Sequence, residues 1–215
     1  LIRMDRVEFA ETLDSLGFRD GCIAEVVLVT VNPDGSSNAA PMGAKRMGGD
    51  VFEVKPFKTS ATYRNLLSDP RSTMNVTSDP MVFLATAFKG QVSTQPAMDG
   101  LGLRGCDACI TLERIEGVEV SADRYLFRNK AKEVAVHASN PRVFSRGVAE
   151  AVEAVIHATR VKAFRKQGRH VDALEMEEKA RECIGVVRRV SAGGSPEAET
   201  VDRLERMLER WRSEA

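Results

Sequence analysis

The hydrophobic period of the chain changes near residue 140. Upstream, short β-branched runs alternate with turn signals; downstream, apolar residues recur every three or four positions with few breakers. A period near two belongs to strands and one near 3.6 to helices, so neither an all-β nor an all-α fold accommodates the whole sequence. The expectation is an α+β protein, with a β domain over residues 1–140 and a helical subdomain over 141–215.

Within the first region, I-A-E-V-V-L-V-T-V at 23–31 reads as a strand and N-P-D-G at 32–35 as a turn. A return strand from Asn38 to Arg46 and a third from Val51 to Val54, joined by M-G-G-D, complete an antiparallel meander. Residues 59–68 read as a helix, with Thr59 or Ser60 at its N-terminus and Pro70 just beyond its end. A strand at 72–77, a short helix from Asp79-Pro80 through Phe88, a glycine-rich loop at 90–105 and strands at 109–120 and 124–137 follow. Six antiparallel strands with a helix inserted after the third predict a small closed barrel.

The second region carries three amphipathic stripes, Val148 to Thr159, Met176 to Val190 and Val201 to Trp211, broken at Gly168 and at G-G-S-P 193–196. These stripes are expected to bury against one another, the barrel or a second copy of the chain, and their extent predicts a homodimer.

Lys and Arg total 31, as do Asp and Glu, so the formal net charge is zero. That excludes broad electrostatic capture of nucleic acid or anionic membrane while permitting a local basic pocket. No apolar run approaches the ~20 residues of a membrane-spanning helix. L-I-R-M-D-R at the start lacks the apolar segment of a signal peptide, so a cytoplasmic location is expected. Cys106 and Cys109 form a C-D-A-C, yet no further Cys or His stands near it in sequence, and no metal site is expected. No G-x-S-x-G or dinucleotide-binding glycine motif is present.

Chemistry concentrates in D-G-S-S-N-A-A-P-M-G at 34–43, K-T-S-A-T-Y-R-N-L at 58–66 and M-N-V-T-S-D-P at 74–80. Pro41 within a strand marks an edge where backbone groups leave the ladder. Freed N–H and C=O groups suit a flat heterocycle, and Met42 offers it a soft apolar face. At the predicted helix start, free N–H groups, the helix dipole and the side chains of Ser60, Thr62 and Arg64 favour an anion. The competing explanation is a simple helix cap with a solvated arginine.

The order and spacing of these motifs resemble the flavin-reductase-like, FMN-binding split-barrel superfamily, which pairs a D-G turn with an N-x-A-P strand, a T-x-x-N helix start and an N-V strand. Asp34-Gly35, Asn38–Pro41, Thr62, Asn65 and Asn75-Val76 carry the match. A functionally uncharacterised branch of that superfamily resembles the chain more closely, through N-P-D-G-x-x-N-A-A-P-M-G, S-x-T-Y-x-N-L, N-V-T-x-D-P and a helical E-A-x-I-H-A-T-R at 153–160. The resemblance implies a six-stranded split β-barrel with a C-terminal helical extension and FMN at the interface of a homodimer. It places the cofactor against Asn38, Ala40, Pro41, Met42, Gly43, Thr59, Ser60, Thr62, Asn65 and Asn75. The superfamily usually has Lys or Arg two residues before the phosphate Thr; here that position is Ser60, so a basic residue from elsewhere is needed. The implied activity is an oxidoreductase moving hydride or electrons between FMN and a small substrate; the alternative is a non-catalytic FMN-binding or interaction protein. On the first long helix, Arg146, Glu153, His157 and Arg160 share one face, making His157 a candidate proton donor against the alternative of a salt-bridged polar face.

Overall fold

In a computed structural model, residues 6–89, 98–99 and 101–213 are described. The chain divides into two compact units that meet between Phe144 and Ser145.

The first unit begins with helix α1 (Arg6–Ser15) and continues through β1 (Ile23–Val31), β2 (Ser37–Arg46), β3 (Val51–Val54), α2 (Ala61–Ser68), β4 (Arg71–Val76) and α3 (Pro80–Ala87). A two-residue pair follows, β5 (Met98–Asp99) with β6 (Gly102–Leu103), and then the long hairpin β7 (Ala108–Glu119) and β8 (Tyr125–Val136). The six long strands close an antiparallel barrel in the order β1-β2-β3-β8-β7-β4. Alternation along β1 aims Ala24, Val26 and Leu28 inward, where they meet Phe52, Met74, Val76, Ile110, Leu112 and Phe127. Leu66 of α2 joins the same core.

Helix α1 has no counterpart in the sequence reading. Leu13 near its C-terminal end, with Leu16 and Phe18 just beyond it, is buried in the barrel core. Arg46 ties this segment down: it is buried, donates to the Phe18 and Gly49 carbonyls, and pairs with Asp14 and Asp20.

The second unit packs α4 (Arg146–Lys166), α5 (His170–Val190) and α6 (Pro196–Ser213) around one apolar core. The expected α4 stripe faces away from the helical core of the single chain. Val148, Val152 and Val155 are 42%, 55% and 40% exposed, whereas Gly147, Ala151, Ala154, Ala158 and Val161 are buried. Small side chains let α4 lie close to α5: a Cβ on Gly147 would stand 2.2 Å from the Ser191 hydroxyl. The α6 stripe of Val201, Leu204 and Leu208 is buried as its spacing requires. At the centre of the bundle the carboxylate of Glu177, 1% exposed, is paired with Arg165, Arg181 and Arg212. No described helix is long and apolar enough to cross a membrane.

Candidate cofactor site on the barrel

The split in the barrel lies along β2. This strand pairs with β1 over nearly its whole length, but with β3 only at Ala44–Arg46. Ser37–Gly43 therefore carries a ladder on one side alone, and Pro41, lacking an N–H, sits where that loss is harmless. Asn38 and Ala39 are buried; Ala40, Pro41, Met42 and Gly43 are partly exposed, with Met42 leaning on the barrel core. Gly43 has a packing reason of its own, because a Cβ there would come within 2.9 Å of the Ile23 side chain.

Helix α2 starts beside this strand. Ser60 is its N-cap: the hydroxyl accepts from the Tyr63 N–H at 3.1 Å and donates to the Phe57 carbonyl at 2.7 Å. Thr59 is exposed, and its carbonyl accepts from the Arg64 guanidinium. Thr62 and Asn65 point inward and are nearly sealed from solvent.

Thr30, Asn38, Thr62 and Asn65 form one buried network that reaches the half-buried Asn32. The Asn38 amide donates to Thr30 Oγ1 at 3.1 Å and to Thr62 Oγ1 at 3.2 Å. The Asn65 amide donates to the same Thr30 hydroxyl at 3.0 Å and to Asn32 Oδ1 at 2.8 Å. Both amide N–H groups of Asn65 are thereby used, so this residue braces α2 against β1 and has no donor left for a ligand. Thr62 retains its own hydroxyl proton.

Lys89, just past α3, was not singled out in the sequence. Its ammonium donates to Asn38 Oδ1 at 2.5 Å, which brings a cation to the amide that also holds Thr62. Among the described residues it has no carboxylate partner, and burial pushes its pKa down. Lys58, nearer in sequence, is engaged elsewhere with Glu119 at 2.6 Å. Local spacing gives no sign of Lys89, because it reaches Asn38 across 51 residues of chain.

Asn75 lies apart from this network. It is fully buried, its amide donates to the carbonyls of Val27 and Thr73, and its Oδ1 accepts from the Leu103 N–H and from the thiols of Cys106 and Cys109. Both of its amide N–H groups are spent within the protein. The two sulfurs are 3.1 Å apart, and His137 stands beside them. The Cys106 contact, opposed by burial and helped by His137, lowers the Cys109 thiol to about 6, while the Cys106 thiol is raised. His157 belongs to the helical unit, where its Nδ1 is buried without a hydrogen-bond partner among the described residues.

A closed six-stranded antiparallel barrel with one half-paired strand, a capped helix after the third strand and C-terminal helices defines the flavin-reductase-like split-barrel class. The family model described as "Protein of unknown function (DUF447) N-terminal domain" matches residues 24–138, and the chain belongs to that family. Among solved structures the chain is similar to an FMN-bound protein of the same family from Methanosarcina mazei, at 25% identity over 90% of this chain and 98% of that one, with a TM-score of 0.50. Weaker likenesses are to the flavin reductase of styrene monooxygenase from Pseudomonas putida (16% identity, 62% of this chain and 88% of that, TM-score 0.49) and to flavoredoxin from Methanosarcina acetivorans (15%, 54% and 69%, 0.45). At that level the last two say nothing about this chain's chemistry.

Proposed function

We propose that the protein binds FMN on the barrel, with the phosphate at the start of α2 and the ring along Ser37–Gly43, and that it serves as an oxidoreductase toward a small substrate or carrier. The observation that carries this reading is the Lys89–Asn38–Thr62 cluster beside the unpaired half of β2. The FMN-bound relative from Methanosarcina mazei supports the choice of cofactor.

The residues present fit the group. A phosphate dianion needs a cation and several donors. Lys89 supplies the cation, Thr62 a hydroxyl proton, and the first turn of α2 supplies N–H groups and the positive end of its dipole. Asn38 positions both side chains, and Asn65 fixes Thr62 by bracing its helix. Ser60 serves through the cap. Along β2, Ala40, Pro41, Met42 and Gly43 present backbone groups and small or soft side chains to a flat ring. Bound flavin accepts and donates hydride or single electrons; the protein's part is to hold and orient it.

The reading includes a homodimer with FMN at its interface. Met81, Leu84 and Phe88 line one face of α3 at spacings of three and four, and are 54%, 42% and 52% exposed. On β7, Ile115 and Val118 are also exposed. Closed two-fold pairing is the commonest way to cover such surfaces.

Anaerobic mixing of the FMN-loaded protein with NADH and with NADPH tests the enzymatic part. Bleaching of bound flavin faster than of free FMN supports the oxidoreductase. Flavin that stays bound and oxidised with both donors assigns the protein as a carrier or sensor of FMN.

A further inference from the structure

The barrel carries a second cluster that the cofactor reading does not use. Cys106 lies just before β7, Cys109 is its second residue, and His137 follows β8 directly. The possible ligand atoms of all three lie within 4.8 Å of one another. Sequence spacing could not show this, because His137 is brought over the C-D-A-C only by the β7–β8 pairing, whose register sets Cys109 opposite Ala135.

We propose that Cys106, Cys109 and His137 form a binding site for one thiophilic divalent cation of the zinc class.

Three observations carry it. First, the donor set is two sulfurs and an imidazole, which selects borderline and soft cations over Mg²⁺ or Ca²⁺. Second, the backbone holds the three together in advance. The N–H groups of His137 and Ala138 both donate to the Asp107 carbonyl, at 2.8 and 3.0 Å, inside the C-D-A-C itself. Asp107 in turn donates its own N–H to the Val76 carbonyl at 2.8 Å. Third, the carboxamide oxygen of Asn75, a fully buried residue, faces both sulfurs, at 3.1 Å from Cys109 and 3.7 Å from Cys106. Its orientation is fixed because the amide end is tied to Val27 and Thr73. An oxygen donor thus stands beside the two sulfurs, and with the His137 imidazole the cluster offers four donors.

The geometry needs little adjustment. Bonds of ~2.3 Å to sulfur and ~2.0 Å to nitrogen put tetrahedral ligand atoms roughly 3.5–3.8 Å apart. The sulfurs are at 3.1 Å, so small side-chain rotations open the pair to accept the ion. The ion would join β4 through Asn75, the β6–β7 connection through Cys106, β7 through Cys109 and the end of β8 through His137.

The test uses the intact 215-residue chain, flavin-free and chemically reduced, after removal of metals with a chelator. Anaerobic titration with Co²⁺ is expected to give a thiolate-to-cobalt charge-transfer band and the strong visible bands of tetrahedral cobalt, saturating at one equivalent and bleached by Zn²⁺. His137→Ala, a change at an exposed residue, is expected to weaken Co²⁺ binding by about tenfold or more with an unchanged circular dichroism spectrum. Cys109→Ser is expected to weaken the charge-transfer band. Absence of that band at several equivalents overturns the proposal, as does a titration that both variants leave unaltered. A reduced protein that takes up no cobalt but forms a Cys106–Cys109 disulfide with a mild oxidant assigns the pair as a redox dithiol instead.

Discussion

Replacing Lys89 with Met isolates the phosphate contact from the rest of the cofactor site. Lys89 is exposed overall, with only its ammonium end drawn into the part-buried contact with Asn38, so its exchange for an unbranched apolar chain leaves the barrel core intact. Its ammonium has no carboxylate partner among the described residues, and burial already disfavours its charge, so a phosphate is the partner that would relieve it. A hydrogen bond to a charged group contributes about 1.5–3 kcal/mol. At 1.4 kcal/mol per factor of ten, Lys89→Met should weaken FMN binding by roughly 10- to 150-fold. Riboflavin, which has the ring and no phosphate, should bind the variant and the parent equally. Lys58→Met is the matched control: Lys58 is held by Glu119, and its loss should leave FMN affinity within about twofold. Flavin fluorescence titration measures all five affinities. Equal loss of FMN and riboflavin would show that Lys89 supports the fold or the ring. Unchanged FMN affinity would place the phosphate elsewhere.

Other consequences are checked separately. Glu177→Ala removes a buried carboxylate from Arg165, which is 15% exposed, while Arg181 and Arg212 can turn to solvent; it should cost about 1.5–3 kcal/mol in urea unfolding, and a change below about 0.5 kcal/mol would mean the cluster is solvated. Gly43→Ala should cost about 1–3 kcal/mol by crowding Ile23, with partial recovery in the Ile23→Ala background. A stable Gly43→Ala protein that has lost FMN would instead assign the glycine to the cofactor. Light scattering at micromolar concentration should give twice the 23.6 kDa chain mass, and a stable monomer would remove the interfacial site.

What the sequence disclosed follows from the range of the interactions involved. Strands β1 to β3 are legible because alternation, the N-P-D-G turn and β-branched content are local and agree with each other. The Ser60 cap and the Asp79-Pro80 helix start are equally local and stand where their chemistry places them. Helix α1 is not legible, because its stability comes from tertiary burial of Leu13 and Leu16 and from Arg46, 30 or so residues away. On α4 the valines form a tidy stripe, yet alanines face the core; apolar periodicity alone does not distinguish a face that packs closely from one left exposed. The candidate site divides in the same way. Asn38, Thr62 and Asn65 came from motif and resemblance, and the structure joins them. The cation that completes the cluster, and the histidine beside the cysteine pair, arrive through pairing across the barrel, which no local window contains.

Whether this barrel holds FMN is decided by titrating the metal-free, flavin-free protein with FMN and recording the visible difference spectrum together with ultrafiltration. A perturbed flavin band, quenched fluorescence and saturation at one FMN per chain are expected, with riboflavin binding more weakly. FMN that passes fully into the filtrate with an unaltered spectrum, from protein shown to be folded, would contradict FMN binding.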